Sequence, residues 1–189
     1  MIRDLVVKNR SYRRFHEGVD IKIETLKELV DLARLSASAM NAQPLKYILS
    51  SDRQMNSLIF PHLVWAAFLK TWSGPVEGER PSGYIVILGD MEISRFWEYD
   101  AGIAAQSILL GATENGLGGC MIANIRKEGL RSALDIPERY EILLVLAVGK
   151  PREKVVLETV GSDGDTKYWR DSDDVHHVPK RPLGEIIID

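Results

Sequence analysis

At 189 residues and 45% hydrophobic content, the chain can bury a full core and reads as one domain spanning 1–189. Its net charge of -3 excludes a general nucleic-acid or membrane-surface role, so any functional cations must act locally. Cys120 is the only cysteine, which rules out a disulfide within the chain and points to a reducing, cytoplasmic setting. Met1 leads into a charged amphipathic stretch rather than an apolar signal segment, and no apolar run is long enough to cross a bilayer.

Residues 2–9 read as a short amphipathic helix that delivers Arg10. Asp20 is a candidate N-cap for the next helix, in which Leu26, Leu29, Val30 and Ala33 share one face. A strand is expected over 46–51 and a helix over 54–70, broken or restarted at Pro61. Residues 71–83 turn to Gly, Pro, Ser and charge, which makes a loop with Trp72 stranded in it. The apolar run 84–88 reads as a buried strand. Next, 99–115 has no charge between Asp100 and Glu114, so a helix there should be buried on every side, ending at Gly116. Strands are expected at 119–125 and 142–148, with a short helix at 127–134 between them. A hairpin should pair 167–171 with 175–178, and 182–188 closes the chain. Early helices followed by strands of mixed connection give an α+β class.

Four stretches could carry chemistry. In Ser36-Ala37-Ser38-Ala39-Met40-Asn41-Ala42-Gln43-Pro44, small residues permit close approach to a flat ligand. Asn41 and Gln43 add amides that both donate and accept, as a heteroaromatic edge requires. The same residues would also suit an ordinary helix-to-strand loop. Arg10-Ser11-Tyr12-Arg13-Arg14 groups guanidinium donors and hydroxyls in a manner matched to phosphate, or else forms a solvated basic patch. Lys180-Arg181 adds cations near the other end of the chain. Gly116-Leu117-Gly118-Gly119 follows a helix and precedes a strand, the reverse of a dinucleotide-binding glycine loop, and reads as a helix cap. Elsewhere, His176 and His177 are neighbours on a strand, so they point apart, cannot share a metal and should be surface residues. Cys120 should be inert core, and no metal site or Ser-His-Asp order is read.

Taken in order with Phe15, these stretches resemble the FMN-dependent nitroreductase family over nearly the whole chain. Arg10, Ser11 and Arg13 match its Arg-Ser-x-Arg core, and Ser38, Asn41 and Gln43 match its small-Ser-x-x-Asn-x-Gln-Pro pattern. The resemblance implies a three-layer α+β fold, with a mixed or antiparallel sheet flanked by helices, in an intertwined homodimer. It places Arg10, Ser11, Tyr12 and Arg13 around the FMN phosphate and ribityl chain, with Lys180 and Arg181 beside the same phosphate. Asn41 and Gln43 would meet the pyrimidine side of the ring, while Ala37, Ser38 and Ala39 reach the flavin of the partner subunit. Main-chain groups of Ile122, Ala123 and Asn124 would lie by N5. The implied reaction takes hydride from NADH or NADPH and passes it to a small-molecule acceptor such as a nitroaromatic or quinone. No catalytic side chain is then required, because the chemistry belongs to the flavin. Ala37 stands where the family often has Pro, and Leu45 where an aromatic is frequent; both are read as packing changes. Residues 61–83, with Trp65, Phe68 and Trp72, would form a cover in which Trp72 is an exposed platform for the acceptor. The alternatives are reductive dehalogenation or flavin breakdown on the same fold, or a non-catalytic FMN-binding protein.

Overall fold

The two most apolar runs of the sequence lie side by side at the centre of the computed structural model, which describes residues 1–188. They are β2 (Gly83–Asp90) and β4 (Tyr140–Gly149), paired antiparallel, with β1 (Leu45–Ser50) outside β2 and β3 (Gly118–Ile122) outside β4. Every residue of β2 is buried, because this strand is covered on both faces. Its side chains alternate between two cores. Tyr84, Val86 and Leu88 join Ile59 of α3 (Arg53–Ile59) and Leu130 of α5 (Lys127–Ala133). Ile85 and Ile87 join Leu26 and Leu29 of α2 (Ile23–Arg34), together with Ala104, Ala105 and Ile108 of α4 (Glu98–Glu114). The result is a three-layer α+β fold with helices on either side of an antiparallel sheet.

A second, smaller sheet is built from β5 (Val155–Thr159), β6 (Trp169–Arg170) and β7 (His176–Lys180). The expected hairpin forms, with Trp169 opposite His177 and Arg170 opposite His176. Its turn is set by the Asp171 carboxylate, which accepts from the N–H groups of Asp173 and Val175 at 2.9 and 2.8 Å. Strand β5 was not anticipated; it runs parallel to β7, a pairing across some twenty residues that no local pattern announces.

Several sequence expectations need correction. Helix α2 begins at Ile23 with Lys22 as its cap and no side-chain cap, so Asp20 does not serve. The helix expected over 54–70 stops at Ile59, and Pro61 sits in a single 3-10 turn, Phe60–His62. Leu63 then bridges to Ile125, and the chain beyond is irregular. Helix α4 is not buried on every side within one chain. Tyr99 is 82% exposed, and Gly102, Ile103 and Gln106 share its open side.

The glycine cluster acts as read from its order. Gly116, at φ 68°, ends α4 with two cap bonds, Leu117 N–H to Ala112 O and Gly116 N–H to Thr113 O. A Cβ on Gly118 would meet the Tyr12 ring at 2.5 Å, and one on Gly119 would meet the Ala147 carbonyl oxygen at 2.5 Å. Close packing, not phosphate, explains this pair. Cys120 lies in the same strand, buried, and burial pushes its thiol pKa up. Among the described residues, no helix is long and apolar enough to cross a membrane.

Candidate functional site

After α1 (Ile2–Lys8) the chain leaves Asn9 and runs extended along the end of β3 and β4. Ser11 bridges Gly119, Tyr12 N–H donates to Gly119 O at 3.0 Å, and Phe15, fully buried, bridges Pro151. In an extended segment successive side chains point apart. Arg14 therefore turns to Glu79, donating from Nε and Nη2 at 2.6 Å each, which raises its pKa further. Arg13 turns the other way, into a cavity of about 290 Å³.

That cavity is lined by Arg10, Ser11, Arg13 and Lys180, among others, so cations from opposite ends of the sequence meet there. Strand β7 supplies His176, Val178 and Lys180, and the hairpin supplies Tyr168. Arg13, only 8% exposed, donates from Nη1 to the Ser11 carbonyl at 3.2 Å and contacts His176 Nε2 at 3.1 Å. Its guanidinium lies over the Tyr168 ring, 4.6 Å from the centroid. Arg10 donates from Nη2 to Val6 O at 2.6 Å, and burial lowers its pKa. The Nε atoms of Arg10 and Arg13 are buried without a partner. Unpaired guanidinium N–H groups beside a basic cavity suit an anionic oxygen ligand, and phosphate meets that requirement.

Two residues expected at the phosphate are placed elsewhere. Tyr12 packs on Gly118 and its hydroxyl donates to Lys8 O at 3.1 Å; Arg181 pairs with Glu185 at 3.3 Å. Neither lines the cavity.

The loop after α2 forms a different cavity, about 210 Å³, lined by Ala37, Ser38, Gln43, Tyr47 and Asp100 among others. Met40, Asn41 and Gln43 all have positive φ, at 55°, 53° and 51°, an uncommon run for residues with side chains. Buried Asp100 holds it: its carboxylate accepts from Ser38 Oγ and, at 2.9 Å, from Ala39 N–H, while Gln43 N–H donates to Ser38 Oγ at 2.9 Å. Asn41 is exposed and its carbonyl accepts from Gln43 Nε2 at 3.3 Å. Ile122, the last residue of β3, is buried, while Ala123 and Asn124 beyond it are exposed, and the Asn124 carbonyl accepts from Val64 N–H at 3.0 Å. The loop cavity and the anion cavity share no lining residue within one chain.

Trp72 is not the exposed aromatic expected. It is half-buried against the core, with the Arg170 guanidinium 4.7 Å over its ring. Phe68 is the more open aromatic, edge-on to Tyr168 at 5.0 Å. Sequence reading also missed Glu153, Asp100 and Tyr168, and took His176 for a surface residue. Asp100 alone had a signal, as the last charge before the long uncharged run of α4.

The two histidines correct the surface expectation in opposite ways. His176 is 1% exposed, and burial, then Arg13, Arg170 and His177, push its pKa down to about 4. His177 is held between Asp171, 3.0 Å from Nε2, and Glu158 at Nδ1, with its ring stacked on Trp169. The Asp171 and Glu158 carboxylates raise its pKa above 6.5. Below 6.5 both folded and unfolded chains protonate His177, so its contribution is fully present. As pH rises through the folded pKa the native state loses the proton too, and the contribution is lost. The stability gap between wild type and His177→Gln should therefore be constant below about pH 6.5 and shrink as the pH rises beyond it. Unfolding by urea at several pH values measures it, and a constant gap would show that the ion pairs contribute nothing.

Comparison with known proteins identifies the family and the fold. The model of the nitroreductase family matches residues 6–150. A provisionally named NADH dehydrogenase/NAD(P)H nitroreductase of Methanothermobacter thermautotrophicus is 29% identical over 154 residues, 78% of this chain and 76% of its own. One of the same description from Archaeoglobus fulgidus is 26% identical, over 79% of this chain and 85% of its own. Among solved structures, an FMN-dependent nitroreductase from Clostridium difficile R20291 superposes with TM-score 0.68 at 23% identity, covering 100% of this chain and 98% of that one. A provisionally named nitroreductase in complex with FMN from Exiguobacterium sibiricum 255-15 gives 0.65 at 19%, covering 80% and 88%.

Proposed function

Because the chain belongs to the nitroreductase family, we propose that it is an FMN-dependent oxidoreductase, working as a homodimer. It would take electrons from NADH or NADPH and deliver them to a small-molecule acceptor such as a nitroaromatic or quinone. The observation that supports this best is the basic cavity in which Arg10, Ser11, Arg13 and Lys180 converge. When bound, FMN supplies the hydride-accepting and hydride-donating chemistry. The chain's own residues bind and orient it. Arg10, Arg13 and Lys180 neutralise the phosphate, and Ser11 adds a hydroxyl. Asn41 and Gln43 would offer amides to the pyrimidine edge, and the main chain of 122–124 would border the ring.

The strained loop of 37–43 is held open by Asp100, so its polar groups are set before a ligand arrives. Its separation from the anion cavity suits an arrangement in which Ala37, Ser38 and Ala39 serve the flavin of a second subunit. The open side of α4, with Tyr99 and Ile103, offers apolar surface for that subunit. An obligate pair of this kind buries above about 2,000 Å². Sedimentation at micromolar concentration should give a dimer, and a monomer that keeps FMN would refute it.

The absorbance spectrum tests the cofactor and the activity together. Purified or FMN-reconstituted protein should be yellow, bleach anaerobically with NADH or NADPH, and recover colour with a quinone. Protein that stays colourless after reconstitution has no flavin function, and bound flavin that no nucleotide bleaches is not a catalyst.

A further inference from the structure

We propose that His176 is the positioning residue of the anion pocket: it accepts a hydrogen bond from Arg13 and so aims the guanidinium at a bound phosphate. This rests on the FMN reading above and assigns one side chain a part in it. Arg13 has five N–H donors and no acceptor. Its Nη1 lies 3.1 Å from His176 Nε2, so that nitrogen must offer a lone pair. The imidazole is then neutral and carries its proton on Nδ1. A charged ring, or the other tautomer, would set donor against donor.

The surroundings enforce the neutral state. His176 is buried, and the groups facing it are Arg13 from the N-terminal segment, Arg170 from β6 and the Tyr168 ring at 5.2 Å, with His177 adding its charge from the opposite face of the same strand. None is an acid. The acid nearby, Glu153, is engaged by Arg170 and by the main chain of Arg13 and Arg14. With Nη1 shared between His176 and the Ser11 carbonyl, and one face covered by Tyr168, the plane of the guanidinium is fixed. Nη2 makes no hydrogen bond among the described residues, and Arg13 lines the cavity, so this edge is left for the ligand. Alternation along β7 completes the device. His177 points away from His176 and is anchored by Glu158 and Asp171, which fixes how His176 is presented.

Apo-protein of the wild type, His176→Leu and His176→Gln is titrated with FMN and with riboflavin, and the imidazole 15N spectrum of wild-type apo-protein is recorded at neutral pH. Leucine should weaken FMN about ten-fold and leave riboflavin unchanged, since the lost contact acts through the phosphate ligand alone. Glutamine should restore most of the FMN affinity, because its carbonyl oxygen can accept from Arg13. The spectrum should show a neutral ring protonated at Nδ1. Should the leucine variant not fold, the glutamine variant and the spectrum decide. Equal wild-type affinity for FMN and riboflavin refutes the phosphate pocket itself. A wild-type preference for FMN that the leucine variant keeps, or that the glutamine variant loses, refutes the role of His176 alone. So does an imidazole charged or protonated at Nε2.

Discussion

Glu153→Ala is expected to cost about 3–5 kcal/mol of stability, the range for removing one partner of a buried ion pair. The Glu153 side chain is fully buried, and it accepts from the main-chain N–H of Arg13, from that of Arg14 at 3.2 Å, and from Arg170 Nη2 at 2.9 Å. Arg170 is itself only 11% exposed and lies over Trp72. Alanine would strand that charge and leave two N–H groups without an acceptor. At about 2–4 °C per kcal/mol for a domain of this size, the melting temperature should fall by roughly 6–20 °C. Glu153→Gln should lose less, since its amide oxygen can still accept. A fall of under about 2 °C for alanine would show that Glu153 does not hold the hairpin to the N-terminal segment.

Arg13→Ala should weaken FMN by about ten-fold or more while riboflavin binding stays within error. A charge-assisted bond to a phosphate oxygen contributes roughly 1.5–3 kcal/mol, and riboflavin has no phosphate to lose. Arg13 also braces Tyr168 and His176, so thermal melting of the apo-variant is needed beside the titration. Lys180→Ala gives a cleaner control, because Lys180 is exposed and no part of the core. If Arg13→Ala weakens both ligands equally, the cavity does not select phosphate.

Much of the fold was legible because its signals are local. The apolar runs of β2 and β4, the cap at Gly116, and the Asp171 turn each depend on a few neighbouring residues. The glycine order, after a helix and before a strand, likewise excluded a dinucleotide loop. Local reading failed where a residue's fate depends on distant chain. Pro61 was seen, but not that one 3-10 turn would replace the rest of the helix and send Leu63 to Ile125. The helix at α4 looked buried all round because composition cannot say which side faces a partner or solvent.

For the site, the sequence by itself determined the donor types: arginines and serine near one end, lysine near the other, amides in a small-residue loop. Only the tertiary structure decided which of them meet. Extended backbone sends Arg13 into the cavity and Arg14 to Glu79, and the antiparallel pairing of β6 with β7 brings Arg170 and His176 beside them. Burial then made His176 neutral and left His177, one residue along, held between two carboxylates. Two identical neighbours thus acquire opposite chemistry, because a side chain's charge is set by what the fold packs around it and not by its place in the chain.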